Sequence, residues 1–554
     1  MRHECVYLSK RSPQELLPET FMTPLTSTRS LSVLQLSSVL TLLALAVGIT
    51  TGCGGTSSSG SPALSGNTSV TVVLSSTAND QLSEFDLVLQ NLTLTSKTGK
   101  TVTLLSSPQG FEFVHLNGQA EPLTTVTIPQ DIYPSATATI GYSQFTCLTL
   151  TPSGGLDSST FAYGYVPTPN VTVNLASPIT ITGSSMGLSL DLQVAQSATY
   201  SSCYTSGADP YAITPTFNVT PVAFSTQPTN PENGKVAGLM GQISAIGTNN
   251  FTVSVSEGDA SPRSVSMNSG SGTLYQGVGG FSALTVGTFV EMDAAIQPDG
   301  LLATRIAVED PSAVNVLSGP LMFVDTIEPA LNIWGRDQQG SDYVNTHVLG
   351  GIPFSFDSAV FHISGQFTNL QNLPFVPNFT GSNMVAGQNL YLSAPTLTDT
   401  SNPYTELRTI TLIPQTINGT VLGVSTSGGF TNFTVSLASD DLFPTLAIQQ
   451  GQTTLLTNPS QVEVYADSNT QLLNTQPLAA PSMLRFYGLV FNDNGRLRMD
   501  CAQVNDGVTA SSVSSVSNSR THLEPGAAQT VPHQGPGGMK PMITVVTRSH
   551  PVQP

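Results

Sequence analysis

The residues able to do chemistry in this chain are few. Three histidines lie in its central body: His115, His347 and His362. His115 stands between Val114 and Leu116 in an apolar run, so a strand is expected there; His347 and His362 are expected in neighbouring strands. No hydrolase nucleophile elbow, the Gly-x-Ser-x-Gly turn from a strand into a helix, is expected. Glycosidase chemistry needs two carboxylates about 5–9.5 Å apart across one sugar bond. Asp440-Asp441, Asp293 and Asp299 are available, but the pair precedes Leu442-Phe443-Pro444 in a loop and Asp299 belongs to a turn with Gly300. Solvated turns account for them. Asn492-Asp493-Asn494-Gly495 offers oxygen ligands for calcium without the EF-hand spacing, and it reads as a hairpin turn. No Cys/His spacing suggests zinc. The expectation is a non-enzyme with no catalytic residues, no metal and no cofactor.

Binding chemistry has a better case. Seven of the 14 tyrosines fall between positions 133 and 211. Phe161, Tyr163 and Tyr165 share one face of an expected strand over 159–166. Such a strip stacks on a sugar or a partner surface, or else packs across strands in a core. The single Trp334 weakens the sugar reading, since carbohydrate platforms favour tryptophan. Cys147 and Cys203 both lie in the first folded segment, which makes them a disulfide candidate in an oxidising compartment; two buried thiols are the other reading. Cys501 reads as a lone core cysteine at a strand end.

The thiol of Cys53 has a different context. Leu31–Ile49 is uncharged and mostly apolar, preceded by Arg29 and followed by Thr50-Thr51-Gly52-Cys53 and a Ser/Gly stretch. A basic start, an apolar centre and small residues at the end describe a secretory signal. With Cys53 directly after Gly52, the segment resembles a bacterial lipoprotein signal, although Thr50 stands where that family prefers leucine. The resemblance implies cleavage before Cys53, diacylation of its thiol and acylation of the new amine. An ordinary secretory signal or a membrane anchor is the alternative. Residues 1–21 lengthen the segment and carry Glu15 and Glu19; Met22 would give a more ordinary start.

Composition limits what can position these residues. Only 9% of the chain is charged, against about 25% in ordinary globular proteins. Amphipathic helices need Lys, Glu and Arg on their wet faces, so a helical protein is nearly excluded. Residues 53–506 hold 10 basic and 31 acidic residues, a net charge of −21. Nucleic acid is therefore excluded as a partner.

What remains is all-β. An antiparallel sandwich-like domain is expected over 69–225, after a signal region (1–52) and a flexible tether (53–68). The run Phe85–Leu94, the strand Thr101–Leu105, the step Val126-Thr127-Ile128-Pro129 and the strand Ala136–Leu148 resemble a bacterial lipoprotein domain family, domain of unknown function 4382. That family typically follows a lipoprotein signal and brings no assigned chemistry. After a Pro/Asn/Gly linker the chain repeats itself. Asn250–Val255 echoes Asn432–Leu437, and each follows a Gly-led strand, Gly241-Gln242-Ile243 or Gly419-Thr420-Val421. Leu284–Val290 echoes Met384–Leu390, and closing strands recur at 300–306, 406–410 and 495–499. Three small OB-like β-barrel units are expected at 235–310, 314–413 and 415–506, the middle one with an insertion around 365–381. Gly241, Ile243, Phe251, Val253, Leu284, Gly287, Val290, Asp299, Gly300, Ala303 and Ile306 make the first unit resemble a second family, domain of unknown function 5666, which implies a five- or six-stranded barrel. A unit of about 90 residues is large enough for its own core. Residues 507–554 are expected to be a disordered tail.

The expected function is a lipid-anchored surface or periplasmic protein of the cell envelope, at the outer membrane or cell surface. It acts as scaffold, spacer or adhesion module, with the barrels extending away from the membrane. The alternative is a carbohydrate- or ligand-binding lipoprotein. Expected partners are the membrane, through the lipid, and a glycan or cell-envelope protein.

Overall fold

Alternating apolar and hydroxyl or amide residues, cut by Gly, Pro and Asn turns, give strands almost throughout. The computed structural model describes residues 64–508, apart from 78–81, 148–160, 163, 166–168, 198–210, 225–234, 257–261, 328, 341–351, 368, 396–404, 440 and 448–454. The protein is all-β, as its composition requires, and contains small five-stranded barrels.

The first module holds β1 (Asn67–Ser76), β2 (Leu82–Thr95), β3 (Thr101–Leu105), β4 (Gln109–Glu112), β5 (Glu121–Pro129) and β6 (Ile132–Cys147). It continues with β7 (Phe161–Ala162), β8 (Gly164–Tyr165), β9 (Asn170–Thr180), β10 (Ser185–Leu192), β11 (Tyr211–Ala212) and β12 (Phe217–Val222). One sheet has the order β12-β10-β1-β5; the other is β3-β2-β6-β7, with β4 also on β2 and β9 also on β6. β1 and β10 run parallel, Val72 beside Leu188, within an otherwise antiparallel sheet. Val70, Val72 and Leu74 share a core with Phe85, Leu87 and Leu89 of the opposite sheet. Val73, on the other face of β1, is buried in the core of the next module. A strand covered on both faces loses its alternation and reads as a continuous apolar run.

The second module closes a barrel from β13 (Lys235–Ile246), β14 (Asn250–Val255), β15 (Arg263–Gln276), β16 (Phe289–Gln297) and β17 (Gly300–Ala307), in the order β13-β14-β15-β17-β16. The third has the same order in pieces. β18 (Asn315–Asp325) carries β19 (Ala330–Ile333) and β20 (Asp337–Gly340) on one edge and β23 (Asn389–Ala394) on the other. The parallel pairing of third and fifth strands is split: β21 (Ile352–Ser355) lies on β24 (Thr405–Glu406), and β22 (Val360–Ile363) lies on β25 (Thr409–Leu412). The last module closes a second barrel, β26-β27-β28-β30-β29, from β26 (Gln415–Ser427), β27 (Phe430–Leu437), β28 (Gln461–Leu472), β29 (Met483–Asp493) and β30 (Arg496–Asp506). β29 and β30 are joined at Asn494-Gly495, both at positive φ (53° and 85°), the geometry a tight hairpin asks of Asn-Gly.

One backbone device recurs in all three units. Ile243, Leu321 and Val421 each donate an N–H to the carbonyl just before the fourth strand, at Thr288 (2.9 Å), Gln388 (2.7 Å) and Ser482 (2.8 Å). Two residues earlier in each first strand stands a glycine: Gly241, Gly319 and Gly419. A Cβ at these positions would lie 3.1 Å from Ser254 O, 1.8 Å from Trp334 O and 2.5 Å from Ser436 O. The first strand bends so close to the second that a Cβ is excluded at Gly319 and Gly419 and crowded at Gly241.

The modules are not strung out in a line. Phe375, from the insertion in the third module, packs on Tyr465 and Phe491 of the last barrel with ring centroids 5.5 and 5.7 Å apart. Met240 and Phe289 of the first barrel share a cluster with Val316 and Tyr391 of the third module.

Candidate functional site: a polar junction and the cleft beside it

The chain segment that joins the modules begins with a buried acid. Glu112 ends β4 with no exposed surface, in the run Phe111-Glu112-Phe113. A buried carboxylate must be satisfied by donors. Its Oε1 accepts the N–H of Phe85 (2.9 Å) and Val114 (2.8 Å), and its Oε2 accepts the N–H of His115 (2.8 Å). These bonds turn the chain out of the sheet. His115 is therefore not on a strand: β4 stops at Glu112, and Phe113, Val114 and Leu116 are all buried in a turn that mimics a strand's apolar run. Burial opposes ionisation of Glu112, but the hydrogen bond and charge of His115, the charge of Arg336 and the N–H of Phe85 hold it below the ordinary range.

From this turn, contacts reach every other module. His115 lies between two acids, Nδ1 3.2 Å from Glu112 and Nε2 3.1 Å from Glu121. Glu121 is in turn paired with Arg263 of the first barrel, whose guanidinium lies 4.9 Å above the Phe111 ring. Arg336 of the third module donates to the Leu82 carbonyl (3.2 Å), and Gln339 donates to the Met240 carbonyl (2.9 Å). Asp337 is pushed up to about 7 by burial, with His115 and Arg263 opposing and Glu121 adding to the shift. The last barrel is held by Asn117 and Gln119. Asn117 accepts from Arg485 Nη1 (2.8 Å) through its side chain and from Thr416 Oγ1 (2.8 Å) through its carbonyl. Gln119 donates to the Tyr487 hydroxyl (2.6 Å). A second buried cluster braces the first barrel: Arg305 meets Glu291 (2.9 Å) and Asp293 (2.8 Å). Burial works against the Arg305 charge, and the two carboxylates hold it well above its ordinary value.

Beside this junction opens a cleft of about 930 Å³. Its walls come from all four modules: Ser75, Asp191 and Thr220 of the sandwich, Ile296 of the first barrel, Phe367 of the third module and Gln503 of the last barrel are representative. Most of the lining is hydroxyl, amide or carboxylate. Asp500 is pushed up to about 7 by burial and by Asp467. Burial likewise raises Asp191, against Ser75, Arg485 and Gln193.

Of the residues singled out from sequence, His115 and Asp293 belong to these buried clusters and Cys501 lines the cleft, while the others lie elsewhere or outside the described residues. Cys53, Cys203 and Tyr163 fall outside the described residues, as do His347 and Asp440. Phe161 and Tyr165 are described only as backbone: β7 pairs with the end of β6, and β8 pairs with β11. Cys147 ends β6, and its side chain is likewise outside the description. Trp334 is wholly buried among Met322, Ala386, Leu442 and Leu446, so it forms no sugar platform. Cys501 is a buried free thiol within β30. Asp441 accepts the Ala438 N–H (2.8 Å) at the start of a short helix, Leu442–Ala447, a structural task. His362 sits 3.9 Å from Glu309, with burial lowering its basicity. Among the described residues no three His, Cys, Asp or Glu side chains are grouped to hold a metal.

The junction leaves one signal in the sequence. In a chain this poor in charge, Glu112 and His115 interrupt an apolar run, and such residues must be paired when buried.

A closed five-stranded barrel with first and fourth strands adjacent, and third and fifth parallel, is OB-like. Residues 240–307, nearly the whole of the first such barrel, match the family described as domain of unknown function (DUF5666). No curated protein matches the chain.

Proposed function

We propose that this chain is an exported, lipid-anchored, non-enzymatic protein of the cell envelope whose modules form one rigid scaffold or adhesion body. The observation that carries the rigid body is the buried junction: Glu121 and Arg263 tie the sandwich to the first barrel, and Asn117 and Gln119 tie it to the last. A flexible spacer would leave such polar groups in water. The apolar run ending in Gly52-Cys53 supports the anchor, and under this reading 69–200 is a domain of unknown function 4382, a family that follows lipoprotein signals. Under this reading Cys53 carries the acyl chains, and two or three chains give stable attachment where one does not. Cys147 and Cys203 would form the disulfide of an exported protein. The body's charge of −21 turns it away from nucleic acid and toward a glycan or protein of the envelope.

Cys53→Ser tests the anchor. Metabolic labelling with a fatty acid and membrane fractionation should show a labelled, membrane-bound parent and an unlabelled, released variant. Unchanged membrane retention of the variant would refute it. The second reading, a ligand-binding lipoprotein, is favoured by the cleft.

A further inference from the structure

The cleft has the size and position of a ligand site. Clefts of about 300–1,000 Å³ hold small ligands, and they gather where domains meet. At about 930 Å³, with walls from four modules, this one is at the upper end.

Comparing the two closed barrels shows a feature peculiar to the cleft. In both, the parallel pairing slips: between Ser269 and Leu274 of β15, and between Ala466 and Gln471 of β28. In both, a threonine fixes the resulting bulge. Thr273 donates to the Ala303 carbonyl (2.7 Å) and accepts the Gly270 N–H (3.0 Å). Thr470 donates to the Cys501 carbonyl (2.7 Å) and accepts the Asp467 N–H (2.9 Å). The backbone device is the same, but the side chains differ. The first barrel has Gly270-Ser271-Gly272, and the last has Asp467-Ser468-Asn469, which lines the cleft. Asp467 further locks its bulge, accepting from the Asn469 N–H (2.7 Å) and Nδ2 (3.1 Å).

The side chains of the neighbouring walls are also hydrogen-bonded to one another. Asn505 donates to Gln503 (3.0 Å), and Gln503 donates to Gln471 (2.9 Å), a relay of three amides. Across the cleft the Ser75 hydroxyl donates to Asp191 (2.8 Å), within reach of the Ser189 hydroxyl (3.3 Å). Amides and hydroxyls both donate and accept, which suits a ligand carrying many hydroxyls. Phe367 and Leu473 add apolar surface for the faces of its rings. The ionisable lining is three acids, Asp191, Asp467 and Asp500, against the single Arg485, so an anionic ligand is disfavoured. We infer that the cleft between the sandwich and the last barrel binds a neutral oligosaccharide. This goes beyond the scaffold reading and does not depend on the lipid anchor.

The test is calorimetric titration of the detergent-solubilised full chain with neutral malto-, cello- and N-acetylchito-oligosaccharides, with oligogalacturonate and with spermine. Asn218→Trp and Ser468→Trp place bulk into the cleft from exposed positions, and unchanged thermal unfolding verifies that each variant folds. At least one neutral series should bind, oligogalacturonate should not, and each tryptophan variant should weaken binding about tenfold or more, the cost of losing one or two hydrogen bonds. The inference is overturned if no neutral series binds, or if oligogalacturonate or spermine binds in preference. It is also overturned if neutral binding survives both variants but is lost in Phe161→Ala/Tyr165→Ala, which would move the site to the aromatic strip.

Discussion

Glu121 and Arg263 stand 142 residues apart in the chain and form an ion pair inside the protein, between the sandwich and the first barrel. Their side chains are 3% and 5% exposed. An ion pair on the surface contributes little, because water competes for both partners. Buried, each partner becomes a liability without the other. The second carboxylate oxygen of Glu121 lies 3.1 Å from His115 Nε2, so the acid joins side chains of two modules.

Removing one partner should therefore cost more than removing both. Arg263→Met is expected to destabilise the protein by roughly 3 kcal/mol, since it strands a buried carboxylate. The double variant Glu121→Gln/Arg263→Met should recover much of that loss. Urea unfolding of the parent, both single variants and the double variant measures the coupling. Additive single effects would show that the two residues act independently.

The three first-strand glycines should rank by the space around them. Alanine at Gly319 meets a carbonyl at 1.8 Å, at Gly419 at 2.5 Å and at Gly241 at 3.1 Å. Overpacking of this kind costs about 1–3 kcal/mol, and more when backbone must move. The expected order of destabilisation is Gly319→Ala, then Gly419→Ala, then Gly241→Ala, read from thermal unfolding. The reverse order would contradict the bend assigned to the first strand of each unit.

Stability should fall as pH rises. Burial, the leading cause in each, pushes Glu84, Glu309, Asp337 and Asp500 up to about 7. In the unfolded chain these groups titrate near 4. Between about 4 and 7 the native protein keeps protons that the unfolded chain has released, so each rise in pH through that window favours unfolding. Glu112 acts oppositely, but at and below the ordinary carboxylate range. His362, its basicity lowered by burial, is one group against four. The melting temperature should be higher at pH 5 than at pH 8, and Asp500→Asn should narrow the difference. A flat or rising profile would contradict the reading.

The sequence was legible wherever a residue's neighbours decide its place. Asn494-Gly495 marked a hairpin because only certain residues accept positive φ there. The Gly241 and Gly419 motifs marked first strands, since the close approach they permit lies within one unit. Gly319-Pro320-Leu321 occupies the same place, but its proline obscures the strand pattern. The junction was not legible. Asn117 and Arg485 are 368 positions apart, and no local pattern ties one to the other. The cleft was hidden for the same reason: Ser75 and Gln503 are unremarkable wet-face residues until four modules bring them around one space. The aromatic strip is legible because Phe161, Tyr163 and Tyr165 alternate within five residues of sequence.

The turn after β4 also sets an order of events in time. Its partners in the last barrel, Thr416, Arg485 and Tyr487, are among the last parts of the body to be synthesised. Until they emerge, Asn117 and Gln119 cannot make their bonds to the last barrel, and the sandwich waits with its docking face open. Contacts this distant in sequence slow the final step of folding, since a long loop must close before they repay its entropy. A chain stalled or clipped before residue 485 would present that open face to whatever handles unfinished proteins.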